Sequence, residues 1–186
     1  MSRTFFAAAL VAFTSATDII YAPGRRDEIV VDRSEYPMVF DFAQERENGG
    51  CGATMISDQI AITEAACVEY HEDVPWRSEE GLGMLSFYLS DGELYHVKEV
   101  RGNECWNHFR EEPFFNDLAL LILDRPIPDA VEGVHYVKMW DEATMGDDYI
   151  GLEFAIAGWG AAAEIREGVD WHPTELHRAY NVIDEV

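Results

Sequence analysis

From Ile29 onward the chain alternates between short apolar runs and clusters of turn residues, at intervals too short for ordinary helices. Met38-Val39-Phe40-Asp41-Phe42 alternates, which predicts a strand with Met38, Phe40 and Phe42 on one face. Met84 to Leu89 and Leu94 to Val97 flank Ser90-Asp91-Gly92, the pattern of a hairpin. Leu118 to Leu123 is apolar throughout and closed by Asp124-Arg125-Pro126, predicting a strand buried on both faces. Val134 to Trp140, Phe154 to Gly158 and Leu176 to Val186 are further strand candidates. Helical signals are scarce. Ala161 to Arg166 is the best local candidate, held to about two turns by Gly160 and Gly168. Short strands with frequent turns predict an all-β chain, a barrel or a sandwich. The polar run Asp141 to Asp148 marks a crossing between two domains.

Composition narrows the partners. Acidic side chains number 36 against 13 basic ones, a net charge of -23. That field repels nucleic acid and anionic lipid, so neither is expected as a partner. Arg3, the apolar run Phe5 to Phe13 and the small residues Thr14 and Ala16 follow the order of a secretory signal cut before Thr17. The run is too short to span a bilayer, so a secreted protein is expected. Residues 17–28, with Pro23-Gly24 and Arg25-Arg26, read as a pro-segment or linker.

Export implies oxidised cysteines, so Cys51, Cys67 and Cys105 predict one bridge and one remaining thiol. No spacing suits a structural zinc site, and His108 near Cys105 supplies only half of one. Glu69, Glu72, Asp73, Glu79 and Glu80 crowd one segment without the spacing of a calcium loop, and read as a solvated acidic loop. No metal or cofactor is predicted.

Four segments in order resemble the chymotrypsin and trypsin family of serine proteases. Gly50-Cys51-Gly52-Ala53-Thr54-Met55-Ile56-Ser57 is similar to that family's Cys-Gly-Gly-Ser-Leu-Ile-Ser, and Ile62-Thr63-Glu64-Ala65-Ala66-Cys67 to its Leu-Thr-Ala-Ala-His-Cys. Asn116-Asp117-Leu118-Ala119-Leu120-Leu121 resembles its Asn-Asp-Ile-Ala-Leu-Leu, and Ala157-Gly158-Trp159-Gly160 its Ala-Gly-Trp-Gly. The resemblance implies a six-stranded antiparallel barrel over residues 29–140 and part of a second barrel over 141–186. It also implies a Cys51–Cys67 disulfide, with Cys105 left free or intermolecular.

The family's chemistry needs a serine nucleophile, a histidine base and an orienting aspartate. The resemblance puts Asp117 at the aspartate position and Ala66 at the histidine position, where a methyl group neither accepts nor donates a proton. His71 lies four residues past Cys67, and only a slip of the backbone would bring it into that role. The family's Gly-Asp-Ser-Gly-Gly does not occur before Val186. Asp117 is therefore expected to be vestigial, capping a turn or accepting backbone hydrogen bonds. Ile29-Val30 is followed by Val31-Asp32 rather than Gly-Gly, and the basic pair Arg25-Arg26 is offset from it. Cleavage there is expected to activate nothing.

The resulting expectation is a secreted serine endopeptidase homologue without catalysis. Two further readings stand beside it: a portion of a longer protease homologue, and an acidic secreted binding module. A partial second barrel would leave Leu176 to Val186 without a following neighbour, and a protein partner or exchange between copies is expected at that edge.

Overall fold

The computed structural model describes residues 19–21, 30–41, 52–68, 85–89, 91–102, 117–139, 151, 153–158, 162–164, 168–170 and 176–182. Among these, twelve strands form three sheets. The largest is built from β3 (Val39–Asp41), β4 (Gly52–Met55), β5 (Ile60–Thr63), β6 (Ser86–Tyr88), β7 (Leu94–Gly102) and β8 (Ala119–Leu123). Its order is β3-β4-β5-β8-β7-β6, antiparallel at every step.

The predicted hairpin is β6–β7. Gly92, at φ 78, turns the chain, and its N–H donates to the Leu89 carbonyl at 3.0 Å. The left-handed backbone there is one that glycine adopts without steric cost. Along β7, Tyr95 and Val97 point inward, and then the register shifts between Val97 and Glu99. This bulge turns Val100 inward rather than Glu99, keeping the charged side chains Lys98, Glu99 and Arg101 off the core.

The outer strands β3 and β6 meet through aromatic packing. Phe40 and Phe87, both buried, stack with ring centroids 4.0 Å apart and planes 21° apart. The sheet thus closes on itself as an almost complete barrel around Phe40, Met55, Tyr95, Leu121 and Leu123.

Four local expectations change. In β3, Val39 and Asp41 are buried as well as Met38 and Phe40, because both strand faces are covered. In β8 only Ala119, Leu121 and Leu123 are buried, while Leu120 and Ile122 are half-covered. Val134 to Trp140 is not a strand among the described residues. Gly133, at φ 80, accommodates a turn in which its N–H donates to the Tyr136 carbonyl at 2.8 Å. The segment still contributes Val137 to the core and donates its N–H to the Met55 carbonyl at 2.9 Å. Finally, the segment expected to be helical contains a strand, Ala162–Glu164. A six-residue helix is marginal by itself, and pairing on both sides outweighs the alanines' propensity.

The remaining strands are β1 (Ile19–Tyr21), β2 (Val30–Val31), β9 (Glu153–Gly158), β10 (Ala162–Glu164), β11 (Gly168–Asp170) and β12 (Leu176–Val182). They form two three-stranded sheets, β1-β10-β11 and β2-β12-β9. Leu176 to Val186 was expected to lack a following neighbour, yet β12 lies in the middle of its sheet. It pairs with β9 on one side and with Val30–Val31 on the other. The near end of the chain supplies the missing pairing.

After β2, a single 3-10 turn (Arg33–Glu35) ties this sheet to the barrel. Asp32 caps it, accepting from the Ser34 N–H at 2.8 Å and the Ser34 hydroxyl at 2.7 Å. These bonds hold the Asp32 carboxyl below its ordinary pKa. Arg33 donates to the Tyr88 carbonyl of β6 at 2.7 Å. From β12, Arg178 reaches Glu35 at 2.8 Å, with its guanidinium 5.0 Å from the Tyr180 ring and 5.9 Å from the Tyr36 ring. Ala157 and Leu176 join the barrel's own core.

Candidate functional site

The site is assembled by the pairing of β5 with β8. Register places Thr63 opposite Ala119. Antiparallel strands then bring the residues after Thr63 and those before Ala119 to the same end of the barrel. Ala66 leaves β5 three residues later and Asp117 enters β8 two residues earlier, so the topology gathers the two sequence-predicted positions at one end.

Beyond Thr63 the chain makes one helical turn, α1 (Ala65–Val68). The Cys67 N–H donates to the Glu64 carbonyl at 3.2 Å. Ala65, Cys67 and Val68 are buried and anchor the turn in the core. The Thr63 hydroxyl donates to the Gly52 carbonyl at 2.8 Å, fixing the end of β5 to the start of β4. Ala66 is thus the third residue past a rigidly held strand end. It brings no titratable group.

Asp117 is half-buried and takes part in a non-covalent interaction at this end of the barrel. Glu64 escaped the sequence reading because it stands where the resembled motif has alanine. It is 7% exposed, a second acidic side chain drawn into this end of the barrel. Its Oε2 lies 3.9 Å from Cys67 Sγ. Cys67 is disulfide-bonded, so this approach is a contact without a thiol proton. A burial pattern that leaves Thr63 and Glu64 both inside was the missing signal, and strand periodicity does not supply it.

Cys51, His71, Cys105, His108 and the acidic residues Glu69, Glu72, Asp73, Glu79 and Glu80 lie outside the described residues. Among the described residues no group of three or more His, Cys, Asp or Glu side chains could hold a metal ion. The resolved pKa shifts fall elsewhere. Tyr95 is pushed up to about 12, first by burial and then by its hydrogen bond to Asp91. Glu99 is lowered by its hydrogen bond from Arg101. At this end of the barrel the described residues include two carboxylates, Asp117 and Glu64, and an alanine at position 66 that carries no proton-transferring group.

Comparison with known proteins gives this arrangement a context. No protein-family model matches the chain. A vitellin-degrading protease of Bombyx mori is 30% identical over 141 residues, 74% of this chain and 48% of that protein. A trypsin of Sarcophaga bullata is 26% identical over 110 residues, 59% of this chain and 39% of the trypsin. The chain therefore spans half or less of the curated relatives it matches. Among solved structures, the mouse brain serine protease neuropsin superposes with a TM-score of 0.53 at 18% identity, covering 82% of this chain and 61% of neuropsin. An inactivated protease paralogue of the scabies mite superposes with a TM-score of 0.54 at 15% identity, covering 84% of this chain and 62% of the mite protein. At those identities the two structures speak to the fold alone: it is chymotrypsin-like.

Proposed function

We infer, for a chain that belongs to the trypsin-like serine protease family in sequence and in fold, that it acts as a protease homologue without peptidase activity. The observation that carries this is Ala66. The turn α1 follows β5 where the family motif has its histidine, beside the strand that begins after Asp117, and the residue there is alanine. In a mechanism that relies on imidazole to accept the nucleophile's proton, losing that residue costs on the order of a million-fold in kcat. Asp117 cannot substitute for it. An aspartate in this position orients a base and does not itself take the nucleophile's proton.

Other features support a scaffold kept for binding. The core is closed by buried apolar and aromatic residues, independently of the residues a protease would need. The mite protein of similar fold is described as an inactivated protease paralogue, so this architecture is compatible with loss of catalysis. The N-terminal order of charge, apolar run and small residues supports secretion after cleavage before Thr17. The engaged Cys67, next to a Thr63 hydroxyl bound to Gly52, supports a bridge from Cys67 to Cys51. The high negative charge favours a protein partner with a basic face over nucleic acid or anionic lipid.

The test is direct. Pure protein is incubated with a fluorophosphonate probe and with peptide substrates carrying Arg, Lys, Phe or Tyr before the scissile bond. Neither labelling nor turnover is expected. Labelling that heat abolishes would overturn the reading.

A further inference from the structure

Among the described residues, the N-terminal strand occupies an edge that no other strand covers. β1 runs parallel to β10, with Ile19 opposite Ala162, Ile20 opposite Ala163 and Tyr21 opposite Glu164. The other side of β10 is taken by β11. Without β1, the main-chain groups along one side of β10 would lie unpaired, and such an edge is a template for another extended segment. Ile-Ile-Tyr has the β-branched and aromatic composition that suits this role, and Pro23-Gly24 follows it.

β1 comes to this edge from far away in sequence, and β10 has its own antiparallel partner in β11 on the other side. The next strand, β2, is fixed to β12 through Val30 opposite His177 and Val31 opposite Leu176. β1 is thus a short strand on a tether whose other end is anchored. Three paired residues are few, so the tether supplies much of its occupancy, at an effective concentration in the millimolar range. The basic pair Arg25-Arg26 lies between the two strands in sequence.

We propose that the edge of β10 is a strand-binding site occupied in cis by this chain's own Ile19–Tyr21 segment, which becomes an exchangeable peptide ligand once the chain is cut between β1 and β2. The intact chain excludes competing strands through its tether; the cut chain does not. A basic-specific protease acting at Arg25-Arg26 would convert a covered edge into one that accepts an extended apolar peptide. This inference is independent of whether the protein hydrolyses peptides.

The test uses the full chain with a site-specific protease sequence in place of Arg25-Arg26. After cutting, the protein is filtered and probed with a fluorescent peptide of residues 17–26, Thr-Asp-Ile-Ile-Tyr-Ala-Pro-Gly-Arg-Arg. Circular dichroism and thermal melting establish that the remainder is folded. The cut protein should bind the peptide saturably, and the uncut protein at least about ten-fold more weakly. The same peptide carrying Ile20→Pro and Tyr21→Pro should neither bind nor compete, since proline removes ladder N–H groups. If the native segment stays with the cut protein through filtration, an excess of labelled peptide should displace it in native mass spectrometry. Three results would each overturn the proposal: the segment leaves and no peptide rebinds the folded remainder, the proline peptide binds as well as its parent, or cut and uncut protein bind alike. An uncut dimer whose N-terminal strands are exchanged between copies would also refute occupancy in cis.

Discussion

The stack of Phe40 on Phe87 closes the barrel between two strands that share no ladder, and its strength can be measured. Both rings are buried, at 0% and 3% exposure, with centroids 4.0 Å apart. Replacing Phe40 by alanine would remove a fully buried ring at a cost of about 3–5 kcal/mol. Against a typical domain stability of about 5–15 kcal/mol, that variant risks unfolding. Leucine is the more informative replacement, because it keeps apolar volume while removing the aromatic face. Phe40→Leu and Phe87→Leu should each cost about 1–2 kcal/mol in urea unfolding. The double variant should cost less than their sum by about 0.5–1.5 kcal/mol, the coupling expected of an aromatic pair. Hydrogen exchange should accelerate along β3 and β6 in either single variant, and much less along β5 and β8 in the centre of the sheet. Strict additivity within about 0.3 kcal/mol, with exchange unchanged at β3 and β6, would mean that the seam is held by something other than these rings.

Three further outcomes follow from the same frame. Arg178→Met keeps the apolar stem but removes the ion pair to Glu35, so it should cost about 1 kcal/mol at low salt and less at high salt; equal loss at both would show the pair to be idle. Tyr95 has its pKa raised to about 12, so its contribution is complete below the ordinary tyrosine value of about 10. That contribution is lost as pH rises through about 12, and the melting difference between the wild type and Tyr95→Phe should shrink across this window. At Gly52 a methyl group would meet nothing within 4 Å, so Gly52→Ala should stabilise by about 0.4–1 kcal/mol through the unfolded chain; a lowered melting temperature would contradict this.

Local pattern made several of the barrel's strands legible. The Ser90-Asp91-Gly92 turn announced β6–β7, and the apolar run before Asp124 announced β8. Ala66 and Asp117 could be located because their motifs lie at the end of β5 and the start of β8, and register then brings them to one end of the barrel. The buried Glu64 was not legible, since strand alternation does not bury two successive residues such as Thr63 and Glu64. Tertiary pairing likewise decided Ala162–Glu164, where local propensity favours a helix and partners on both sides impose a strand. Val134 misled in the opposite direction, because Gly133 turns the chain before an apolar run can extend. The two-residue β2 is invisible to any periodicity, and its role emerges only from its pairing with β12.

That pairing sets an order of events during synthesis. Val30 leaves the ribosome long before its partner, His177, is made. Strands β3 to β8 can find one another while translation continues, since their partners lie within the first part of the chain. β2 must wait. During that wait the Val30–Val31 segment and the turn that carries Glu35 have neither β12 nor Arg178 to hold them. Contacts of such sequence separation form slowly, because a long loop must be closed before they give any return. The nascent chain therefore passes through a period with a formed barrel and a loose leading end, and that is the window in which a chaperone or a protease would meet it.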